Sequence, residues 1–322
     1  MQTQSISDAA ARQSSDLRTV PELLLHHASV RGDRTAMREK EYGIWQTWTW
    51  SEMKEEILDF AAGLASIGFK RGDKLGIIGA NRPQLYWGMC AAQCLGGIPV
   101  PLYKDMVAEE LQYVLEHAGV HIVLAEDQEQ VDKVLEIQEE CPELTDVVYD
   151  DERGMRDYEH THLHAFRALQ KAGREFSASQ PDYVQNEIAT NNGGDVGIFL
   201  YTSGTTGKPK GVVLSHDNIV ITARNTVALD DLTDREETLS YLPLAWVGDH
   251  IFSYGQAYVA GYCVNCPEDE TTVATDMREI GPTYYFAPPR IFENMLTSVS
   301  IRMEDASALK QKLFSYFMDV AR

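Results

Sequence analysis

Short apolar segments alternate with amphipathic helices from about residue 50 onward, and this alternation leaves few folds open to the chain. The first block predicts four buried strands separated by helices of about three turns, with the strands at 74–79, 98–102, 121–125 and 146–149. Strands joined by helices lie parallel, because each crossover helix covers a face of the sheet. The sequence therefore predicts an α/β fold with mostly parallel sheets and flanking helices.

A second α/β block is predicted after residue 194. Its strands are predicted at 196–201, 211–214, 238–242 and 283–287, and its helices at 217–229, 251–259, 273–280 and from 289 to about 299. The polar, charge-dense stretch 150–194 is predicted to be a connection between the two blocks. In the first block, Asn81 is predicted to cap the helix that has Pro83 in its first turn.

The chain is strongly acidic, with a formal net charge of −21. Such a surface repels phosphate backbones and anionic lipid headgroups, which argues against nucleic-acid binding and a polybasic membrane anchor. The apolar stretch 83–103 is broken by Gly, Pro and Gln, which favours a buried helix and strand over a membrane span. Residues 1–16 resemble no secretory signal, and the five cysteines form no evident disulfide framework. We therefore expect a cytoplasmic protein that has at most peripheral contact with the inner membrane face.

Two small clusters raise the question of a metal. His160, His162 and His164 alternate and would share one face of a strand, but a solvated surface segment is the favoured interpretation. Cys263 and Cys266 have the spacing of half a zinc knuckle without a second pair of ligands nearby in sequence. Ordinary buried thiols are favoured there.

The most informative segment is 201–211, Y-T-S-G-T-T-G-K-P-K-G. Its three glycines allow backbone N–H groups to converge on an oxygen-rich anion, and its Ser and Thr hydroxyls add donors. Lys208 and Lys210 place two positive charges beside them. This combination is what holding a nucleotide triphosphate requires.

Two other interpretations of this segment were weighed. A Walker A loop is excluded, because Gly207-Lys208 is followed by Pro209 and Thr202 stands where the first Gly should be. A hairpin turn without a ligand is disfavoured, because a turn needs neither two lysines nor this many hydroxyls.

Residues 201–216, Y-T-S-G-T-T-G-K-P-K-G-V-V-L-S-H, resemble the phosphate-binding signature of the adenylate-forming enzymes. Residues 241–249 (Y-L-P-L-A-W-V-G-D) resemble the stretch of that family that lines the acyl pocket. Residues 282–293 (P-T-Y-Y-F-A-P-P-R-I-F-E) resemble a segment of long-chain fatty acyl-CoA synthetases. With similar patterns at 49–54 and 72–83, the resemblance covers most of residues 20 to 300.

The resemblance implies a two-step reaction. A carboxylate attacks the α-phosphate of ATP to give an acyl-adenylate and pyrophosphate, and the thiol of CoA then displaces AMP. The residues that would grip the β- and γ-phosphates are Thr202, Ser203, Gly204, Thr205, Thr206, Gly207 and Lys208. Thr202 is the hydroxyl expected to share Mg²⁺, and Lys210 would either contact phosphate or stiffen the loop.

The resemblance also assigns the acyl pocket to Trp246, Val247 and Gly248. Trp246 replaces the family's frequent His, and Asp249 replaces its Glu. An indole cannot act as a base, but adenylation needs none because a carboxylate is already ionised at neutral pH. Core packing is the alternative role for Trp246. No residue of this chain is assigned a catalytic role.

Several segments of the family are not found in this sequence: the adenine-binding and ribose-binding segments and the small C-terminal lid domain. We therefore interpret 1–20 as a polar N-terminal tail and 21–322 as an incomplete large N-terminal adenylation domain. Such a fragment is expected to bind ATP weakly and to complete neither half-reaction alone.

Three functions remain open from the sequence. The favoured one is a long-chain fatty acid:CoA ligase that uses ATP, Mg²⁺ and CoA. The others are an adenylating ligase for a different carboxylic acid and a non-catalytic truncated protein that binds a nucleotide or a partner.

Overall fold

The computed structural model describes residues 16–158, 161–202 and 208–321. The helices of eight or more residues are α1 (Val20–Val30), α2 (Trp50–Ser66), α3 (Pro83–Cys94), α4 (Ala108–Ala118), α5 (Gln128–Glu136), α6 (Phe166–Ser179), α7 (Tyr183–Thr190), α8 (His216–Leu229), α9 (Val273–Ile280), α10 (Pro289–Glu304) and α11 (Ala308–Ala321). The strands are β1 (Thr35–Glu41), β2 (Ile44–Thr49), β3 (Lys74–Ile78), β4 (Ile98–Leu102), β5 (Val120–Ala125), β6 (Asp146–Tyr149), β7 (Leu163–Ala165), β8 (Val196–Thr202), β9 (Lys210–Ser215), β10 (Glu237–Leu239) and β11 (Cys263–Cys266).

The predicted first block forms a five-stranded sheet in the order β4-β3-β5-β6-β7. Every pairing in it is parallel, and Ile77 of β3 lies between Pro101 of β4 and Leu124 of β5. These strands are almost wholly buried because helices cover the sheet, as apolar runs on both faces require. The four strands predicted in this block are confirmed to within a residue or two.

A second sheet has the order β10-β11-β1-β2. Strand β1 pairs in parallel with β11 and in antiparallel with β2, to which a two-residue turn at Tyr42 and Gly43 connects it. Both turn residues have positive φ, which the short hairpin requires. Strands β8 and β9 form a separate antiparallel pair. The fold is thus α/β with mostly parallel sheets and flanking helices, as predicted.

Three local predictions were wrong. The stretch 150–194 contains β7, α6 and α7, and Gly173 of α6 packs so closely on α2 that an added Cβ would lie 2.0 Å from the Asp59 carbonyl oxygen. Residues 283–287 form no strand, although the Thr283 amide donates to the Glu237 carbonyl of β10 at 2.9 Å. The N-cap of α3 is Arg82, whereas the Asn81 side chain donates to Tyr86 and Asp249.

The largest apolar cluster lies around α2 and α3. Its fully buried aromatic side chains include Trp50, Phe60, Trp87 and Phe166, and the Phe60 and Phe166 rings stack 4.1 Å apart. A second cluster, which includes Val123 and Val147, lies under α4 and α5. Both clusters hold the ends of the parallel strands in fixed positions, and polar side chains gather at those ends.

Residues 284–321 form a compact unit distinct from the preceding chain. The unit contains α10 and α11, and Pro288 and Pro289 stand at the start of α10 as predicted. Helices α10 and α11 bury none of their side chains. Gln311 joins the two helices by donating to the carbonyls of Met303 and Glu304.

Candidate functional site

The glycine- and hydroxyl-rich segment connects β8 to β9. Thr202, the last residue of β8, pairs with Lys210, the first residue of β9, and Tyr201 pairs with Gly211. Thr202, Lys208 and Lys210 are exposed. The predicted phosphate-binding residues Ser203, Gly204, Thr205, Thr206 and Gly207 lie outside the described residues. A simple hairpin turn would follow the same strand pairing, so the strands alone do not decide between the two interpretations.

Helix α4 contacts both arms of this hairpin. The Tyr201 hydroxyl lies 2.7 Å from Nδ1 of His117, and burial raises the pKa of Tyr201 to about 12. On the other arm, the Lys208 ammonium lies 4.8 Å from the centre of the Tyr113 ring, and the Tyr113 hydroxyl donates to the Pro209 carbonyl at 3.4 Å. The arms are therefore fixed to one helix as well as to each other.

Tyr113 and His117 were missed by the sequence analysis. They stand four residues apart in a segment predicted to be helical, which places them on the same face. That spacing was the available signal, but nothing local indicates that the face meets the hairpin.

Gly211 is required by the packing of the hairpin. A Cβ at this position would lie 2.1 Å from the ring of Phe199 on the paired strand. The ring thus occupies the space of a side chain, and only glycine allows the two strands to pair here. At the far end of β9, Ser215 caps α8 through a reciprocal bond pattern with Asn218.

A cavity of about 410 Å³ lies near the segment that the sequence assigned to the acyl pocket. Tyr241, Pro243 and Leu244 of that segment line it, together with Leu102 and Tyr103 from the end of β4. Its volume falls within the range of small-molecule sites. None of Trp246, Val247 and Gly248 is among the described residues that line it.

Trp246 and Gly248 pack against each other. Trp246 is half-buried and precedes a helical turn, Val247–Asp249, and a Cβ on Gly248 would lie 2.6 Å from its indole ring. Val247 is exposed. The indole therefore has a structural contact, and its predicted pocket role stays a prediction.

Asp249 is fully buried in a network of hydrogen bonds. Its carboxylate accepts from the Tyr86 hydroxyl at 2.6 Å and from the Asn81 amide at 3.2 Å, and the Ser253 hydroxyl is a further donor. The Tyr86 hydroxyl also lies 2.8 Å from that of Ser240. Burial raises the pKa of Asp249 to about 7 despite these donors. Asp249 therefore belongs to the protein interior and is not among the residues that line the cavity.

The two clusters that raised the question of a metal have simple surroundings. His162 and His164 both contact Oδ1 of Asp146, at 3.2 and 2.8 Å, while His160 lies outside the described residues. Cys263 and Cys266 are free thiols buried on β11. Across the described residues, no group of three or more His, Cys, Asp or Glu side chains is arranged to hold a metal ion.

Thr202 is the residue to which the sequence assigned Mg²⁺. Its hydroxyl is a hard oxygen ligand at an exposed strand end, which fits the preference of this ion. One hydroxyl is too few to hold the ion. Mg²⁺ would therefore arrive with the nucleotide, held mainly by phosphate oxygens and water, and would add positive charge beside the leaving pyrophosphate.

The family model described as "AMP-binding enzyme" matches residues 24–316. Among curated proteins, the chain is 28% identical to the long-chain-fatty-acid–CoA ligase ACSBG2 of Xenopus laevis, over 94% of this chain and 42% of that protein. It is 27% identical to long chain acyl-CoA synthetase 3 of Arabidopsis thaliana, over 85% of this chain and 41% of that protein. The chain thus spans less than half the length of these relatives.

Solved structures have the same fold. The N-terminal domain of FACL13 from Mycobacterium tuberculosis superposes with a TM-score of 0.71 at 22% identity, covering 87% of this chain and 65% of that chain. A luciferase-like enzyme from the mealworm Zophobas morio also gives a TM-score of 0.71, at 16% identity, and the match covers 91% of this chain and 64% of that chain.

Proposed function

Because the chain belongs to the AMP-binding enzyme family, we propose that it supplies the phosphate-binding part of an enzyme that joins a long-chain fatty acid to CoA at the expense of ATP. The observation that carries this proposal is the β8–β9 hairpin. It presents Thr202, Lys208 and Lys210 to solvent at the two ends of the glycine- and hydroxyl-rich turn.

In this proposal the hairpin holds the β- and γ-phosphates. Backbone N–H groups and hydroxyls of residues 202–207 would donate to phosphate oxygens, and Lys208 would neutralise charge on the departing pyrophosphate. These contacts accelerate the reaction only as far as they are stronger in the transition state than in bound ATP. Lys210 pairs with Thr202 across the hairpin. This position is compatible with either of its predicted roles, which are contact with phosphate and stiffening of the loop.

The cavity near 241–244 is our candidate for the acyl chain. Its lining combines apolar side chains such as Leu102 and Leu244 with a polar rim, where Lys104 forms an ion pair with Glu270. An apolar interior favours an alkyl chain over a short acid, because burying each CH₂ is worth about 0.8 kcal/mol. The names of the relatives support a long-chain fatty acid, and CoA would be the acceptor in the second half-reaction.

We further propose that the 322-residue chain alone completes neither half-reaction. The match covers 42% of the ACSBG2 relative, so more than half of that protein's length has no counterpart in this chain. Cytoplasmic location with peripheral membrane contact remains a proposal too. In the part of the chain that the structure describes, no helix has the length and apolar character needed to cross a bilayer.

Nucleotide binding provides the test of the hairpin. We expect MgATP to bind weakly and Lys208→Ala to weaken it at least about fivefold, since a charge-assisted hydrogen bond contributes roughly 1.5 kcal/mol or more. Isothermal titration calorimetry measures both affinities. Lys171→Ala, which removes an exposed lysine of α6, is the matched control and should bind as the parent does.

Three results would contradict the proposal in distinct ways. Equal MgATP affinities of Lys208→Ala and Lys171→Ala would show that Lys208 of the hairpin does not contribute to phosphate binding. Binding of benzoate in preference to palmitate would favour another carboxylic acid as substrate. Turnover of ATP, CoA and palmitate by this polypeptide would refute its inactivity.

A further inference from the structure

Helix α11 exposes a continuous stripe of large apolar side chains. We call this set the α11 stripe; its members are Leu309 (69% exposed), Leu313 (48%), Tyr316 (63%), Phe317 (62%) and Val320 (67%). Residues 309, 313, 316 and 320 are spaced by four, three and four positions, which is the heptad spacing of a helix that packs lengthwise on another helix. A contiguous apolar stripe in water indicates an interaction surface.

The opposite face of α11 is the one that the helix uses within the chain. Phe314 and Met318 stand one turn apart and are half-buried. At 100° per residue they point more than about 120° away from the seam between Leu313 and Tyr316. The α11 stripe is therefore a second apolar face, which the described residues leave exposed.

The charges beside the stripe are arranged to complement a second copy of the same helix. Lys312 lies in the first half of α11 and Asp319 in the second half. When two such helices pack antiparallel with Leu313 level with Tyr316 of the second copy, Lys312 and Asp319 of the other copy flank the seam on the same side. Two-fold symmetry repeats this pair. A carboxylate has two acceptor oxygens, so Asp319 needs to give up no contact of its own.

The same charges disfavour a parallel arrangement of the two helices. In a parallel pair in register, Lys312 would lie beside Phe317 of the second copy, and Asp319 would have no lysine within reach. The sequence of α11 therefore specifies the direction of pairing as well as the surface.

Helix α10 lacks this complementarity. Its exposed Phe292, Leu296 and Val299 also follow heptad spacing. Antiparallel pairing of two copies of α10 would place Glu293 beside a serine and Arg302 beside a methionine, so no opposite charges would meet. This comparison favours α11 as the contact between copies.

We propose that α11 pairs antiparallel with α11 of a second copy of this chain, through the α11 stripe and two Lys312–Asp319 ion pairs. A lipid surface fits less well, because binding to anionic headgroups favours a helix rich in basic residues, and α11 carries two lysines and one aspartate. One helix of 14 residues gives a small interface, so the dimer should be weak and reversible, with a micromolar dissociation constant. The proposal does not depend on the function proposed for the hairpin.

Sedimentation equilibrium of the full chain measures this association. The experiment belongs at physiological ionic strength, which screens the net charge of −21. We expect a monomer–dimer equilibrium and at least a tenfold weaker dimer in Leu313→Lys, which places a charge at the centre of the seam. Leu229→Lys makes the same change at a 79% exposed leucine of α8 and should leave the equilibrium unchanged.

A charge exchange tests the direction of pairing. Lys312→Asp puts like charges opposite each other twice in the dimer, so it should weaken the dimer at least about fivefold. Lys312→Asp combined with Asp319→Lys restores opposite charges and should return the dissociation constant to within about twofold of the parent value. The three substituted positions on α11 are exposed, and circular dichroism verifies that each variant is folded.

Three results would overturn the proposal. A chain that stays monomeric throughout the micromolar range would leave the α11 stripe to another polypeptide or to lipid, and co-sedimentation with anionic vesicles would identify the latter. Equal dissociation constants for Leu313→Lys and Leu229→Lys would place the contact elsewhere. Failure of the combined exchange to restore the dimer would exclude antiparallel pairing of α11.

Discussion

Asp249 is a fully buried carboxyl group and Asp150 a half-buried one, and both have raised pKa values, but their surroundings are opposite. Asp249 is fully enclosed and accepts hydrogen bonds from Asn81, Tyr86 and Ser253. Asp150 lines a cavity and has no donor among the described side chains, and its pKa rises further, to about 8 against about 7. Hydrogen-bond donors favour the charged form of a carboxyl group, so the carboxyl group that lacks them keeps its proton to a higher pH.

The largest effect is expected from Asp249→Ala. The substitution leaves the Tyr86 and Ser253 hydroxyls and the Asn81 amide without their acceptor, so the free energy of unfolding should fall by about 3 kcal/mol or more. Urea denaturation at pH 7 measures the change. Asp249→Asn keeps one acceptor oxygen and should lose less. A loss under about 1 kcal/mol for Asp249→Ala would show that the network contributes little.

A smaller loss is expected from Tyr86→Phe. The phenyl ring keeps its packing against Tyr254, but one donor to Asp249 and one partner of Ser240 disappear. The cost should be about 1 to 2 kcal/mol in the same denaturation experiment. Tyr258→Phe, in a fully buried tyrosine outside this network, is the matched control. Similar losses in both variants would argue that removing any buried tyrosine hydroxyl has this cost, and that the Asp249 bond contributes nothing specific.

The smallest effect at low pH is expected from Asp150→Asn, and its size grows as the pH rises. The folded chain holds the Asp150 proton up to about pH 8, whereas the unfolded chain releases it near its ordinary pKa of 3.8, so this group lowers stability as pH rises between these values. Asp150→Asn should therefore unfold like the parent at pH 4 and become more stable than the parent as the pH rises toward 8. Denaturation across this range, with Glu175→Gln as control, measures the difference. A destabilised variant at pH 8 would mean that Asp150 has a partner in the folded protein.

The parallel core could be predicted from sequence because its signals are local. Strands such as 74–78 and 98–102 are short apolar runs between glycines and helices, and each is buried by its own neighbours. Strand β11 was missed because its four residues, including Cys263 and Cys266, become a strand by pairing with β10 and with β1, which lies more than two hundred residues away. Residues 283–287 show the reverse, since their apolar character predicted a strand where the structure forms none.

The candidate site also has one part that local sequence reveals and another part that depends on contacts between distant segments. The segment between β8 and β9 could be singled out because its run of glycines, hydroxyls and lysines is visible in the sequence itself. The contacts of α4 with both arms, and the burial of Asp249 away from the cavity, depend on which surfaces meet in space. A sequence motif can therefore locate the hairpin, but it cannot assign roles to residues elsewhere in the site. Trp246, Val247 and Gly248 are an example, because none of them is among the described residues that line the cavity.

If the hairpin binds phosphate as proposed, the attachment of both of its arms to α4 would make nucleotide affinity depend on a helix that contacts no phosphate group itself. His117 contacts one arm and Tyr113 the other, one helical turn apart. A ligand or partner that slides this helix along its axis would shift the two lysines relative to the turn between them. Control of the reaction from the outer surface of the protein would then need no change in any residue that touches ATP.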